Sequence, residues 1–128
     1  MTTETIIAEG YIAAYTMVVY RNTRFVKPFT MSMLSTGDPI DLQGKKILYT
    51  AKEVGAKDTD EPIISVDVEV PAVDSDGALG IFTLEIPELQ TDVDAVTYDS
   101  EFMYEVAGTH YPIIKFKTKV IQDLKRSV

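Results

Sequence analysis

Few side chains in this sequence have the types and spacing that catalysis requires. The only histidine is His110, and a histidine acting as a general base needs a nucleophile and an orienting acid close by. No serine lies in a nucleophile-elbow pattern. Cysteine is absent, which excludes a thiol nucleophile and zinc–thiolate sites. We therefore predict that His110 is a turn residue and that the protein is not an enzyme.

Acidic residues gather in two places where a hard cation could bind. Residues 74–77 (DSDG) resemble the opening of a calcium loop, but the third acidic ligand and the terminal glutamate are missing at the required spacing. Asp-Gly between two strands also signals a hairpin turn, which we favour. The acidic residues of 58–61 would need Asp92 or Asp94 beside them, and a solvated charged loop is the alternative. We expect no cofactor and no metal site, and calcium binding by these loops stays open.

Aromatic residues offer one further kind of chemistry, which is sugar binding. The chain has 7 tyrosines and no tryptophan. In a β-sandwich most tyrosines belong to the core or are half-buried. A module that binds host-surface glycans is nevertheless retained as an alternative function, and it predicts exposed tyrosines in a single patch.

The charge distribution narrows the choice of partners. The formal net charge is -8, Lys57 is the only base in residues 53–105, and five bases face a single acid in residues 115–126. An acidic protein repels phosphate backbones, so we expect no nucleic-acid partner. The apolar run at residues 11–20 is too short to span a bilayer, no basic leader is visible, and we expect no membrane partner. The acidic and basic stretches either form a solvated surface or meet between copies.

Alternating apolar and polar residues predict about seven strands and no long helix. In the clearest strand, residues 63–70, four apolar side chains share one face: Ile64, Val66, Val68 and Val70. We expect this strand to form a hairpin with residues 78–86. Pro28 should place its strand at an edge or at a bulge. Residues 87–97 are expected to form one helical turn that seats Leu89 and Val93 over the core.

The last predicted hairpin carries opposite charges on one face. Residues that lie opposite one another in an antiparallel pair share a face. The face would hold two acids and three bases, namely Glu101, Glu105, Lys115, Lys117 and Lys119. Such pairs fix the register, because a slip of one residue would bury the lysines.

These patterns predict an all-β fold, an immunoglobulin-like antiparallel β-sandwich of about seven strands. The sandwich is expected to span residues 11–121. Residues 1–10 would form an irregular N-terminal arm and residues 122–128 a C-terminal tail.

Three segments of the chain carry a resemblance to a known family. They are residues 25–30 (FVKPFT), residues 37–44 (GDPIDLQG) and residues 47–52 (ILYTAK). Together they resemble the N-terminal immunoglobulin-like domain of phage baseplate upper proteins and related tail-fibre modules. The resemblance extends over residues 18–120, with Tyr104 in the family's tyrosine-bearing strand. It departs from the family at residues 21–23, where the family usually has Gly-Asp.

The resemblance implies a structural phage virion protein, a multi-copy docking or adaptor subunit of the tail, the baseplate or the fibre attachment. Its partners would be other virion proteins and copies of itself, and its location the virion, assembled in the host cytoplasm. A capsid decoration (cement) protein on the head is an alternative. Contacts are expected from apolar and basic residues near the two termini: Ile6, Ile7, Ile121, Leu124, Lys125, Arg126 and Val128.

Overall fold

The computed structural model describes residues 4–7, 11–32, 36–57 and 59–122. Short strands dominate these segments, and two single helical turns interrupt them. The strands are β1 (Glu4–Ile7), β2 (Tyr11–Tyr20), β3 (Phe25–Ser32), β4 (Lys46–Glu53), β5 (Ile64–Glu69), β6 (Ile81–Ile86), β7 (Thr97–Val106) and β8 (Thr109–Ile121). The helical turns are α1 (Ser75–Ala78) and α2 (Glu88–Thr91).

The strands form two sheets that pack face to face, which confirms the predicted all-β sandwich. One sheet has the order β1-β3-β6 and the other the order β2-β8-β7-β4-β5. The run β8-β7-β4-β5 matches the G-F-C-C′ order of variable-type immunoglobulin sandwiches. The described residues contain eight strands rather than about seven, because β1 lies within the segment that was predicted to be an irregular arm.

Two strand pairs are parallel, which corrects the expectation that all pairs are antiparallel. β1 runs parallel to β3, and β2 runs parallel to β8. The other described pairs are antiparallel. Parallel strands usually occur in βαβ units, and the sequence pattern does not indicate such units. Here parallel pairing arises because the chain leaves β2 through the turn at 21–24, crosses to the other sheet, and returns to β2 only with its last strand.

The predicted hairpin between residues 63–70 and 78–86 is wrong. β5 pairs with β4 in the five-stranded sheet, whereas β6 pairs with β3 in the three-stranded sheet. The Asp74 side chain accepts a hydrogen bond from the Gly77 N–H at 2.9 Å and caps the helical turn α1. The Leu42 N–H donates to the Gly77 carbonyl at 2.8 Å. The Asp-Gly pair therefore ends a crossing between sheets instead of a two-residue hairpin loop.

The hairpin of β7 and β8 keeps part of the predicted charge pattern. Glu101 lies opposite Lys115, but Lys117 lies opposite Asp99, Lys119 opposite Thr97, and Glu105 opposite His110. The register shifts between Phe102 and Met103. The extra residue on β8 is Ile113, and it is buried, as is the next residue. The register shift allows the apolar residues before and after it to pack on the core.

The prediction that Pro28 marks an edge strand or a bulge is wrong. β3 is the middle strand of its sheet, between β1 and β6. Its register with β6 runs without a shift from Phe25 to Thr30, and Pro28 lies opposite Thr83. Proline is disfavoured in such a strand because it cannot donate a ladder hydrogen bond.

Phe102 of β7 joins the two layers of the core. Its ring lies 5.3 Å from the Phe29 ring and 5.4 Å from the Phe82 ring, both in the three-stranded sheet. It also lies 5.0 Å from Phe116 and 5.6 Å from Tyr49 in its own sheet. Leu42 is fully buried and enters the core from the loop before β4.

A buried hydroxyl cluster lies on the inner face of the five-stranded sheet. The Tyr49 hydroxyl and Thr118 Oγ1 are 2.7 Å apart, and Ser100 Oγ is 2.6 Å from the same Thr118 oxygen. Among the described residues, every buried side-chain nitrogen or oxygen has a hydrogen-bond partner. Burial raises the pKa of Tyr49, although hydrogen bonds from Ser100 and Thr118 oppose the shift.

Gly80 allows the loop before β6 to approach β3 closely. Its φ is +76°, and a Cβ atom there would lie 2.3 Å from the Met31 carbonyl oxygen. The Met31 N–H donates to the Gly80 carbonyl at 2.8 Å. Gly108, at the tip of the last hairpin, has a similar φ of +82° but nothing within 4 Å of the same position.

We expect Gly80→Ala to destabilise the fold by about 3 kcal/mol, because it adds a backbone clash to left-handed strain. Gly108→Ala carries the strain alone and should cost about 1 kcal/mol. Urea unfolding of the two variants gives the comparison. Equal losses of unfolding free energy would show that close packing at Gly80 is unimportant.

Alkaline pH should destabilise the wild type more than Tyr49→Phe. The folded state favours the neutral phenol, so this stabilisation is complete below the ordinary tyrosine pKa of about 10 and is lost as the pH rises above it. The difference in unfolding free energy between the two proteins, measured at neutral pH and again above that value, tests this. A difference that stays constant with pH would contradict the assignment.

Candidate interaction surface

The two ends of the sandwich carry different loops. At one end, residues 21–24 join β2 to β3, residues 54–63 join β4 to β5, and residues 87–96 join β6 to β7. At the other end, residues 70–80 join β5 to β6 and residues 107–108 join β7 to β8. We call these the turn end and the hairpin end.

The predicted contact residues within the described part of the chain do not form one patch. Ile6 and Ile7 belong to β1, where Ile7 pairs with Ser32, the last residue of β3, at the hairpin end. Ile121 lies at the turn end, and its carbonyl accepts the Arg21 N–H at 2.8 Å. The length of β3, about 23 Å at the usual strand rise, separates the two positions. Four of the predicted contact residues lie outside the described residues: Leu124, Lys125, Arg126 and Val128.

Charges of opposite sign occupy neighbouring strands on the outer face of the five-stranded sheet. Lys117 of β8 forms an ion pair with Asp99 of β7. The Nζ atom of Lys46 in β4 lies 3.4 Å from Oδ2 of Asp67 in β5. Exposed pairs of this kind contribute about 0–1 kcal/mol each. They specify which strands lie side by side more than they stabilise the sheet.

The tyrosines whose side chains the structure describes do not form an extended platform. Tyr49 and Tyr98 are buried in the core. Tyr104 and Tyr111 stack at the hairpin end, with ring centroids 5.0 Å apart and an angle of 18° between the rings. Lys45 Nζ lies 5.6 Å from the Tyr104 centroid. The result is a single aromatic pair beside a base.

The acidic loops have specific partners within the chain. The Asp60 carboxylate accepts the Lys57 N–H at 2.8 Å. Asp92 forms an ion pair with Arg21 at 3.3 Å. No group of three or more acidic or histidine side chains among the described residues is arranged to hold a metal ion. Asp58, part of the proposed calcium cluster, lies outside the described residues.

His110 lies beside the tip of the last hairpin, in the second position of β8. Its Nε2 is 2.7 Å from Glu105 Oε1 on the strand opposite. The turn itself consists of Ala107 and Gly108, which both have positive φ angles of 51° and 82°. His110 is therefore a strand residue in a cross-strand pair, two residues past the turn, and the prediction that it is a turn residue is wrong.

Each strand of the five-stranded sheet presents an apolar side chain at the turn end. In strand order from β2 to β5 these residues are Tyr20 (50% exposed), Ile121 (half-buried), Val96 (51%), Val54 (63%) and Ile63 (41%). We call this set the apolar row. At the usual spacing of strands it is about 19 Å wide across the sheet. It runs obliquely, because Ile63 is level with Lys117 whereas Tyr20 is level with Ile121. Sequence reasoning identified only Ile121, because strand order is what places the other four beside it.

The helical turn α2 contacts elements at both ends of the apolar row, namely β5 and the turn that follows Tyr20. Its Gln90 side chain accepts the Ser65 N–H of β5 at 3.0 Å. Leu89 is 90% exposed, so the prediction that it seats over the core is wrong, whereas Val93 packs against the core as predicted. The buried residue of α2 is Thr91.

Thr91 fixes α2 to the turn at residues 21–24. Its hydroxyl accepts the Thr23 N–H at 3.0 Å and lies 2.8 Å from the Thr23 carbonyl oxygen. It is also 2.9 Å from the Glu88 carbonyl oxygen. These contacts explain why Thr91, and not Leu89, points inward: the hydroxyl supplies an acceptor that the adjoining backbone needs.

The Tyr98 hydroxyl adds a further tie at the turn end. It donates to the Asp94 carbonyl at 2.8 Å. Burial raises the pKa of Tyr98, and the carboxylates of Asp94 and Glu53 raise it further.

Neither helical turn of the described residues is long and apolar enough to cross a membrane.

Comparison with known proteins gives one informative result. No protein-family model and no curated protein matches this sequence. Among solved structures, the chain is similar to the N-terminal domain of phage TP901-1 ORF48, with a TM-score of 0.56 and 12% sequence identity. The match covers 94% of this chain and 98% of that one. It shows a shared fold over nearly the whole length of both chains.

Replacing Thr91 with valine should loosen the turn end. The change keeps the shape of the side chain but leaves the Thr23 N–H without its acceptor, at a cost of about 1–3 kcal/mol. Amide hydrogen exchange should become faster in residues 87–92. Thr83→Val, at an exposed position of β6, is the matched control and should change stability by less than about 0.5 kcal/mol. Similar behaviour of both variants would contradict this role of Thr91.

Proposed function

We propose that this protein is a non-enzymatic structural component of a phage particle, a docking or adaptor subunit of the tail or baseplate that is present in several copies. The observation that carries the proposal is the shared fold with the N-terminal domain of a phage protein, which covers almost all of both chains. The resemblance of residues 18–120 to the N-terminal domain of baseplate upper proteins supports the tail rather than the head.

The surface of the molecule is consistent with docking. The apolar row is exposed at the turn end, and the aromatic pair Tyr104 and Tyr111 lies at the hairpin end. A chain with a molecule bound at each end can connect two components of a particle. The charged side chains of the ion pairs on the outer face, between these two ends, already pair with one another within the chain.

The N-terminal segment contains a strand of the fold, so it is not only a possible docking arm. Residues of β1 pair with β3, so deletion of residues 1–10 would remove a strand as well as any docking contact. Deletion of the segment therefore cannot separate docking from folding. Single substitutions at exposed positions are the appropriate tests.

Antibodies against the recombinant protein test the proposal on purified particles of the phage that encodes it. We expect the protein to sediment with the particles and gold label to appear on the tail or baseplate in electron micrographs. Particles made with an interrupted gene are the labelling control. Label on the head would favour the cement alternative, and absence from sedimented particles would overturn the proposal.

Glycan binding is a second candidate, supported by Tyr111, which is 43% exposed and stacked on Tyr104. A glycan array probed with the wild type and with Tyr111→Ala separates it from the leading proposal. A signal that is lost in the variant would favour glycan binding. No signal, together with association with particles, would favour the structural role.

A further inference from the structure

β2 is an outer strand of the five-stranded sheet, and among the described strands none pairs with it on the side away from β8. Its register with β8 shifts between Ile12 and Thr16 and is then regular as far as Tyr20. We call residues 16–20 the β2 edge. The side chains of Val18 and Tyr20 on its outer face are 46% and 50% exposed.

The peptide groups of the β2 edge alternate between β8 and the outside. The Arg21 N–H donates to the Ile121 carbonyl of β8 at 2.8 Å. Successive residues of a strand direct their peptide groups to opposite sides, and the Tyr20 carbonyl accepts the Thr23 hydroxyl at 2.6 Å instead of a group of β8. Three residues therefore direct their N–H and carbonyl groups away from β8: Thr16, Val18 and Tyr20.

The β2 edge lacks the protection that the other outer strands have. β2 (YIAAYTMVVY) contains no charged residue, proline or glycine. β5 carries two acids, and the Gln90 side chain accepts its Ser65 N–H at 3.0 Å. β6 carries Glu85, which pairs with Arg24, and β1 is only four residues long. Strand edges that must stay single are protected by such devices, because an unprotected edge pairs with another strand.

Two copies of the β2 edge match one another in an antiparallel arrangement. A two-fold axis at Val18 places this residue opposite its own copy and Thr16 opposite Tyr20. Each outward N–H then faces a carbonyl, which gives about six hydrogen bonds between the copies. The register shift before Thr16 and the turn at 21–24 limit the pairing to these five residues.

We infer that the β2 edge is the interface of a two-fold dimer in which two five-stranded sheets join into one. The occupant is a second copy because the edge carries nothing that opposes pairing with itself. An edge reserved for a different strand would need a charge or a proline to keep copies of this chain apart. The inference goes beyond the proposed function, because it concerns the isolated protein and does not depend on where a particle holds it.

The lysine nearest to the β2 edge does not oppose this pairing. Lys119 of β8 lies opposite Val18 in register. In the dimer the two copies of Lys119 would be three strand spacings, about 14 Å, apart. This distance exceeds the screening length of about 8 Å at physiological ionic strength.

Proline at position 18 tests the hydrogen bonds between copies. The Val18 N–H points away from β8, so Val18→Pro removes it without breaking the pairing of β2 with β8. In sedimentation equilibrium of the full-length chain, the wild type should reach twice the monomer mass. The variant should weaken the dimer at least about tenfold, because both central hydrogen bonds are lost. Val18→Thr keeps the N–H group and the branched shape, and should stay within about threefold of the wild type.

Charge at position 18 tests whether the occupant is a second copy. Val18→Lys would place like charges directly opposite one another, so this variant should stay monomeric. An equimolar mixture with Val18→Glu should form a heterodimer, because opposite charges then meet across the axis. Val73→Lys is the matched control, since Val73 is 90% exposed in the loop of the hairpin end, and it should dimerise like the wild type. Circular dichroism and the urea midpoint verify that each variant is folded.

A wild type that stays monomeric would overturn the inference. So would a folded Val18→Pro variant that dimerises as well as Val18→Thr, or a mixture of the lysine and glutamate variants that gives no heterodimer. A monomer that is nevertheless found in particles would overturn the dimer and leave the proposed function standing.

Discussion

The contact of the Phe102 ring with rings from both sheets is the interaction on which the architecture depends. Phe102 lies within aromatic contact distance of Phe29 and Phe82 across the interior and of Tyr49 and Phe116 alongside. Offset and edge-to-face ring geometries constrain the relative position of the layers more tightly than aliphatic packing does. The position of the loops at either end follows from that alignment.

The loops then determine what each end presents. Crossings between the sheets, at residues 21–24 and 70–80, place sequence neighbours in different layers. The Thr91 hydroxyl and the Arg21–Asp92 ion pair hold the α2 loop against the first of these crossings. With the loops so held, exposed apolar residues at the turn end have fixed positions. A surface with fixed positions loses less conformational entropy when it binds than a mobile loop does.

Sequence periodicity indicated the strands from β2 onward and the faces that they bury, but not β1. Phe82, Leu84 and Ile86 alternate inward, and so do Phe116 and Val120. Part of the charge pattern of the last hairpin was also predictable, because its two strands are consecutive. Pairing between distant strands was not, since periodicity indicates which face is buried but carries no information about which strand lies beside which. The wrong hairpin of β5 with β6 and the unforeseen parallel pair of β2 with β8 have this common origin.

The candidate interaction surface was harder to predict for the same reason. Val54, Ile63 and Val96 read as ordinary ends of strands, and only the order of the sheet places them together. Leu89 was predicted to lie in the core because it is apolar. Nothing in the sequence indicated that the backbone near Thr23 needs a hydrogen-bond acceptor, which Thr91 supplies. The composition identified the acidic character of the chain, but it gave no indication of where Lys119 lies.

The parallel pairing of β2 with β8 has a consequence for biosynthesis. The second strand of the chain acquires its neighbour only when the last strand has left the ribosome, since their partners are about a hundred residues apart. Tyr20 and Ile121 become neighbours in that same step. A nascent chain therefore cannot present the complete row until residues 109–121 have been made.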